Sequence, residues 1–499
     1  MTFPHRPPTG VSSHTAIADA HTQPDRSRTS RTMLLSTAII AIAFSGDALR
    51  YTIGWVGYVL VTLVLAVLLG IALRRRHSQV RLRHLPTMLL AFVAWCGLST
   101  LWSQYPLETL AASAAQLLTA YFGLGLALCL TRFQFFQALG AAARILTGGS
   151  LLFELGVKIF APHGLVPPAY LYLNELQFFL GPDTPHDLAN IPSNFYWSHA
   201  NLSIFAQGDI QGLPGNRNLL AMIAVIALIM TIAQLWDRYL PRLYAMSMIA
   251  ISAFVLVHAH SATAFIALAF VALGGMLVFL GRRISRTLRW AMYWVVGTLL
   301  IAGAIFVVAN NDFIFATMNR SPDMSGRGDI WRAVISLGTQ SPVLGIGWIS
   351  YWAPWLPQFD DLAVIEGTAY HQAHNAFLDV WMQTGAIGVV LFALLTFTAL
   401  IRTWWIAIDQ PDTPLLTVTG QQGARQHLAS QTAAPFLILV ALVVQSMTES
   451  RLLVEGNWMF LCWAAIYAKL RITSPSFLPR HLHSLTGNIP VVIDKTRDA

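Results

Sequence analysis

Uncharged apolar stretches of roughly 20 residues recur along most of this chain, and that recurrence restricts its fold more than any other feature. Inside hydrocarbon no water satisfies backbone N–H and C=O groups, and a helix of about that length pairs them internally while crossing. With 55% hydrophobic and only 11% charged residues among 499, an ordinary soluble domain is excluded. The expected fold is all-α, a polytopic transmembrane bundle.

The first apolar block is Met33 to Phe44, and further spans are expected at 52–73, 85–101, 108–130, 134–157, 216–235, 241–258, 261–281, 290–309, 375–402, 433–448 and 454–470. That makes about twelve spans. Residues 1–32, rich in Ser, Thr, Pro, His and Arg, are expected as a disordered cytoplasmic tail, 33–470 as the membrane domain and 471–499 as a second cytoplasmic tail. A cleaved signal peptide would suit the short first block, but the long leader and the following span favour a retained helix.

The net charge of +8 does not require a nucleic-acid partner. Most Lys and Arg lie in 1–32, from Arg74 to Arg83, from Arg282 to Arg289 and from Lys469 onward, and alternation from an inside start puts each cluster in the cytoplasm. The same alternation exports two large loops, 158–214 and 310–374, too long for mere connections, and turns inward the loop 403–432 with Pro411, Pro414, Gly420 and Gly423. Cys96, Cys129 and Cys462 all fall in apolar runs, with neither disulfide nor metal spacing, and are expected as small core residues.

Chemistry concentrates around those exported loops. His374-Asn375 closes the second one, just before a span containing Gly385 and Gly388, so an imidazole stands where water meets bilayer. Histidine exchanges a proton near neutral pH, which makes His374 the candidate general base. Gly215-Asn216-Arg217-Asn218 leads into a helix, where a guanidinium and unpaired N–H groups suit phosphate; an interfacial arginine reaching to water is the alternative. Ser325-Gly326-Arg327-Gly328-Asp329-Ile330-Trp331 supplies a second such cation, although Asp329 could simply pair with Arg327 or Arg332. Arg50, Lys158, Arg217, Arg320 and Arg451 complete the cations placed outside.

His371 and His374 have a spacing that could bind zinc, with His258 and His260 as distant additions, but no third ligand stands nearby in sequence and His-Glu-x-x-His is absent. Trp348, Tyr351, Trp352 and Trp355, with Tyr170, Tyr172, Phe195, Tyr196 and Trp197, could stack on sugar rings; as aromatic residues beside spans they are expected to be interfacial anchors.

Four stretches in order resemble the superfamily of O-antigen ligases and exopolysaccharide or O-antigen polymerases: Ser99-Thr100-Leu101-Trp102-Ser103-Gln104-Tyr105-Pro106, the Gly-Asn-Arg-Asn entrance, Gly-Arg-x-x-Ile-Trp with Pro-x-Leu-Gly-x-Gly at 342–347, and His-Asn, nine residues, Gly-x-x-Gly. The resemblance runs over roughly 33–470. It implies a multi-pass glycosyltransferase of the cytoplasmic (inner) membrane, embedded in membrane lipids and active at the extracytoplasmic face without metal or cofactor. The implied donor is a glycan on a lipid diphosphate, typically undecaprenyl diphosphate, and the acceptor is a glycan or a lipid core. By position, His374 matches the catalytic histidine, Arg217 and Arg327 match arginines that hold the diphosphate, and Asn375, Asn218 and His371 support the site. Val389-Val390 follows Gly388 where some ligases carry Thr-His, which inclines the resemblance toward the polymerase branch and leaves ligation as the alternative. The expected step is removal of a proton from an acceptor hydroxyl by His374 and inverting attack on the anomeric carbon. Rivals from other classes are a flippase for lipid-linked sugars and a metal-dependent transferase using Asp360-Asp361 or Asp329.

Overall fold

The computed structural model describes residues 26–74, 80–173, 175, 191, 195–202, 209–309, 327–359, 362–365, 368–409 and 430–474. The described part is helical throughout: α1 (Arg26–Phe44), α2 (Gly46–Arg74), α3 (Thr87–Leu98), α4 (Pro106–Cys129), α5 (Arg132–Phe160), α6 (Pro168–Tyr172), α7 (Arg217–Trp236), α8 (Arg242–His258), α9 (Ala262–Gly281), α10 (Arg286–Ala309), α11 (Arg327–Gly338), α12 (Ala376–Asp409), α13 (Ala434–Ser446) and α14 (Glu455–Thr473). Two-residue strands at Val364–Ile365 and Thr368–Ala369 form the one antiparallel pair of named strands among the described residues. Each expected apolar block is helical, and six helices (α2, α4, α5, α7, α9 and α12) are long and apolar enough to cross a membrane. This establishes a multi-pass helical character; the expected count of twelve spans exceeds the six that meet both criteria among the described residues.

Composition explains the layering. Leu219 to Met230 of α7 is apolar on all sides, so the helix sits in the middle, against α5, α8, α9 and α13. α14 is buried along nearly its whole length against α4 and α12, with Trp463 stacked on Phe135 at 3.6 Å between ring centroids. Gly123 of α4 lets the two backbones approach, since a Cβ there would lie 2.8 Å from the Met459 carbonyl oxygen. By contrast α2 leaves Val56, Leu60, Val64 and Val67 exposed, the face a helix presents to lipid. Cys96, Cys129 and Cys462 are buried free thiols in the core, as expected.

Helix ends gather at two poles. At one, Arg282 at the end of α9 donates to the Ala407 carbonyl, Asp237 after α7 accepts from the amides of Ser430 and Gln431, and Lys469 of α14 donates to the Leu85 carbonyl before α3. At the other, Arg50 of α2 meets Glu455 of α14, and Asn218 of α7 meets Glu449, which follows α13.

Four expectations change. Trp348 and Trp352 are not interfacial anchors: both are fully buried, Trp348 against Phe92, while Trp355 and Tyr172 are exposed. The loop expected at 310–374 contains a helix, α11, whose Ile330, Val334 and Leu337 recur at helical spacing and join the cluster over α12. The inward loop starts later than 403, because α12 continues through Trp404 to Ile408, where its end packs on α9 and α13. The N-terminal tail ends earlier and the C-terminal one begins later, since 26–32 already belong to α1 and 471–473 to α14. Residues 1–25 and 475–499, Arg320, Ser325, Gly326, Asp360, Asp361, Pro411, Pro414, Gly420 and Gly423 lie outside the described residues.

Helix α12 breaks at Gly385, whose φ of 67° and ψ of −171° belong to a region reserved for glycine. Segment 342–347 is spliced into the break: Ile346 and Gly347 amides donate to the carbonyls of Met382 and Gln383, and the Ala386 amide donates to that of Pro342. The 99–106 stretch clamps this splice, with Ser99 Oγ accepting from the Trp348 amide, Trp102 Nε1 donating to the Leu344 carbonyl and Tyr105 donating to that of Gly347. A Cβ at Gly385 would strike the Val343 carbonyl. Gly385→Ala is therefore expected to cost at least about 2 kcal/mol; melting of the detergent-purified variant at the wild-type temperature would show that the break is dispensable.

Candidate functional site

Between α13 and the 3-10 turn Ser450–Leu453 stands Glu449, with a side chain only 4% exposed. Its Oε2 accepts from His374 Nδ1 at 3.0 Å and from Gln372 Nε2 at 3.1 Å. Its Oε1 accepts from Asn218 Nδ2 at 2.8 Å and from Arg327 Nη2 at 3.4 Å. Burial pushes this carboxyl up, but the His374 bond and the charges of His374, Arg327 and Arg451 outweigh it and hold Glu449 below the ordinary carboxylate value. An ionised carboxylate only accepts, so Nδ1 of His374 carries the shared proton and, in the neutral ring, Nε2 keeps its lone pair.

The His-Asn pair has a local reason. Asn375 caps α12, its Oδ1 accepting from the amides of Phe377 and Leu378 at 3.0 and 3.1 Å, and its Nδ2 donates to the Met447 carbonyl at 3.4 Å. His374, just before the cap, has a φ of 50°. That left-handed conformation is uncommon for a residue with a Cβ and needs support from its surroundings. Asp379, one turn into α12 and fully buried, gives it: Oδ2 accepts from the Ala373 amide at 3.2 Å, and Oδ1 accepts from Trp352 Nε1 and Gln383 Nε2 at 2.9 and 2.8 Å.

At the other motif, Gly215 turns with φ 60° and Asn216 Oδ1 caps α7 by accepting from the amides of Asn218 and Leu219. Arg217 pairs with Asp209, and Asn218 reaches Glu449 while its Oδ1 accepts from Ser261. Upstream, buried Glu154 of α5 holds the turn by accepting from Ser198 and from the amides of Gln211 and Gly212.

Of the expected site residues, His374, Arg327 and Asn218 converge on one carboxylate, Asn375 caps the helix beside it, and Arg217 stands next to Asn218 on a different acid. His371 is offset: Gln372, not His371, faces Glu449, and burial lowers the His371 pKa, with Nδ1 finding no hydrogen-bond partner among the described residues. Asp329 pairs with Arg332. The ring of His258 bonds the Phe254 carbonyl and His260 pairs with Asp209, so neither joins His371 and His374. Glu449, Gln372 and Asp379 were missed. An acid inside an apolar block is costly, and that was a usable signal for Asp379.

Against known proteins, residues 247–393 match the model of the O-antigen ligase family. The exopolysaccharide production protein ExoQ of Rhizobium meliloti is 26% identical over 155 residues, an alignment covering 30% of this chain and 35% of that protein. The chain thus matches about a third of that curated relative's length. These matches bear out the resemblance to the O-antigen ligase and polymerase superfamily, with the likeness to the O-antigen ligase family lying over 247–393. That segment includes Arg327 and His374 and excludes Arg217, Asn218 and Glu449.

The Glu449 site sets a pH dependence. Its folded-state pKa is depressed, so its stabilisation is complete above the ordinary value of 4.5 and is lost as pH falls through the lower folded value. On acidification from the ordinary value through that lower one, the wild-type melting temperature is expected to fall more steeply than that of Glu449→Gln. Parallel curves would remove Glu449 from this role.

Proposed function

We propose that this protein is a membrane glycosyltransferase that moves a glycan from a lipid diphosphate, of the undecaprenyl type, onto an acceptor sugar hydroxyl at the extracytoplasmic face of the cytoplasmic membrane. One observation carries the proposal: a buried carboxylate fixes the tautomer and direction of His374 and at the same time binds Arg327 and Asn218. Nε2 of His374 takes the acceptor hydroxyl proton. The freed oxygen forms a bond to the anomeric carbon as that carbon's bond to the diphosphate oxygen breaks, with inversion. Arg327 and Arg217 neutralise the departing diphosphate, so the chemistry proceeds without a metal or cofactor.

The orientation is supported by charge. Arg83, Arg282, Arg289 and Lys469 share the pole opposite Glu449, the arrangement of a cytoplasmic end. The likeness to an exopolysaccharide production protein favours chain extension, with a growing glycan as acceptor. A second reading, transfer to a lipid core, is favoured by the O-antigen ligase family match.

Membranes supplied with lipid-diphosphate-linked glycan test this. His374→Ala is expected to lower turnover by about two to four orders of magnitude, and Glu449→Gln by about a hundredfold. Arg327→Ala and Arg217→Ala are each expected to lower it by about a hundredfold or more, and chelator to leave it unchanged. Undiminished transfer by His374→Ala would eliminate the base. A ladder of products marks extension; a single block added to a lipid core marks ligation.

A further inference from the structure

His260 takes no part in the transfer described above, yet it is placed beside that site. It lies in the three-residue connection between α8 and α9 with a φ of 46°, a second histidine in the left-handed region. Its Nδ1 is 3.1 Å from Asp209 Oδ1, while the other oxygen of the same carboxylate, Oδ2, binds Arg217 Nη1. A single anion is therefore gripped at two points by an imidazole and a guanidinium. Both are accessible, with side chains 45% and 48% exposed.

The residues that follow the two donors are tied to the candidate site. Ser261 donates to Asn218 Oδ1 at 2.8 Å, and Asn218 donates to Glu449, so His260 and Arg217 flank a hydrogen-bonded line that ends at His374. On the chain that bears Asp209, the next residues are anchored: the amide of buried Ile210 donates to the His258 carbonyl, and those of Gln211 and Gly212 donate to Glu154. The Asp209 side chain, 29% exposed, can swing out by rotation without disturbing these bonds.

We infer that His260 is a diphosphate-binding residue, paired with Arg217, and that the Asp209 carboxylate is a displaceable anion occupying the seat a donor phosphate takes. A phosphate oxygen presents the same two-point acceptor with more charge, so it exchanges with the carboxylate between the same two donors. Asp209 then sets donor affinity by competition and keeps the arginine and histidine aligned. The inference rests on the proposed function, because it supplies a further group for the same leaving diphosphate.

Binding of glycan-free undecaprenyl diphosphate to the full-length protein in nanodiscs provides the test. His260→Asn is the informative variant, since asparagine tolerates the left-handed backbone and removes the imidazole. It is expected to weaken binding about tenfold, as is Arg217→Ala, the loss of one charge-assisted hydrogen bond. Asp209→Asn keeps the shape without the competing charge and is expected to tighten binding about tenfold. Wild-type affinity in His260→Asn, or unchanged or weakened binding in Asp209→Asn, overturns the inference. If Arg217→Ala still binds tenfold more weakly, only this inference falls; if it too binds as wild type, the arginine clamp of the proposed function falls as well.

Discussion

A carboxylate withdrawn from water is tolerated when enough donors reach it, and Glu449 has four from different places in the chain: Asn218, Arg327, Gln372 and His374. Removing any single partner leaves the others facing an under-compensated charge, which makes the cluster cooperative. It is also unattainable in fragments. The start of α7, the start of α11, the segment before α12 and the turn after α13 must all arrive before the charge is satisfied, so assembling the bundle and assembling the candidate site are one event.

The break at Gly385 performs the complementary task in backbone. A straight α12 would leave 342–347 nowhere to pair, whereas the interrupted helix exposes the carbonyls of Met382 and Gln383 for Ile346 and Gly347. Gln383 and Asp379, in the portion before the break, then reach the Ile349 and Ser350 amides and Trp352. Gly345, Gly347 and Gly385 thus serve the splice itself. They hold the first turns of α12 at the angle that delivers the strained His374.

Much of this was visible in residues. Apolar blocks located the helices because burial and lipid exposure both select for hydrophobicity, and the basic residues of Arg83, Arg282 and Lys469 marked one pole. His374 and Arg327 stood out as polar groups beside spans. Glu449 did not, because an acid in a short connection reads as a solvated surface residue until the opposite helices are in place. Trp348 and Trp352 were misjudged for a related reason: an aromatic residue near a span looks the same whether it lies at an interface or packs inside, as Trp348 does on Phe92 and Trp352 on Phe359. α11 went unnoticed because its apolar face is a narrow stripe in an otherwise polar stretch.

Local information was sufficient for features with a local cause: the helix-forming hydrophobic runs, the three cysteines buried within them, and the choice of His374 as candidate base. Tertiary structure alone decided which acid answers that imidazole, that Gln372 rather than His371 faces it, and that Arg217 and His260 share Asp209. Those pairings join residues as far as 77 positions apart or depend on the direction of a side chain. Both are set by how helices pack, which no short window of residues encodes.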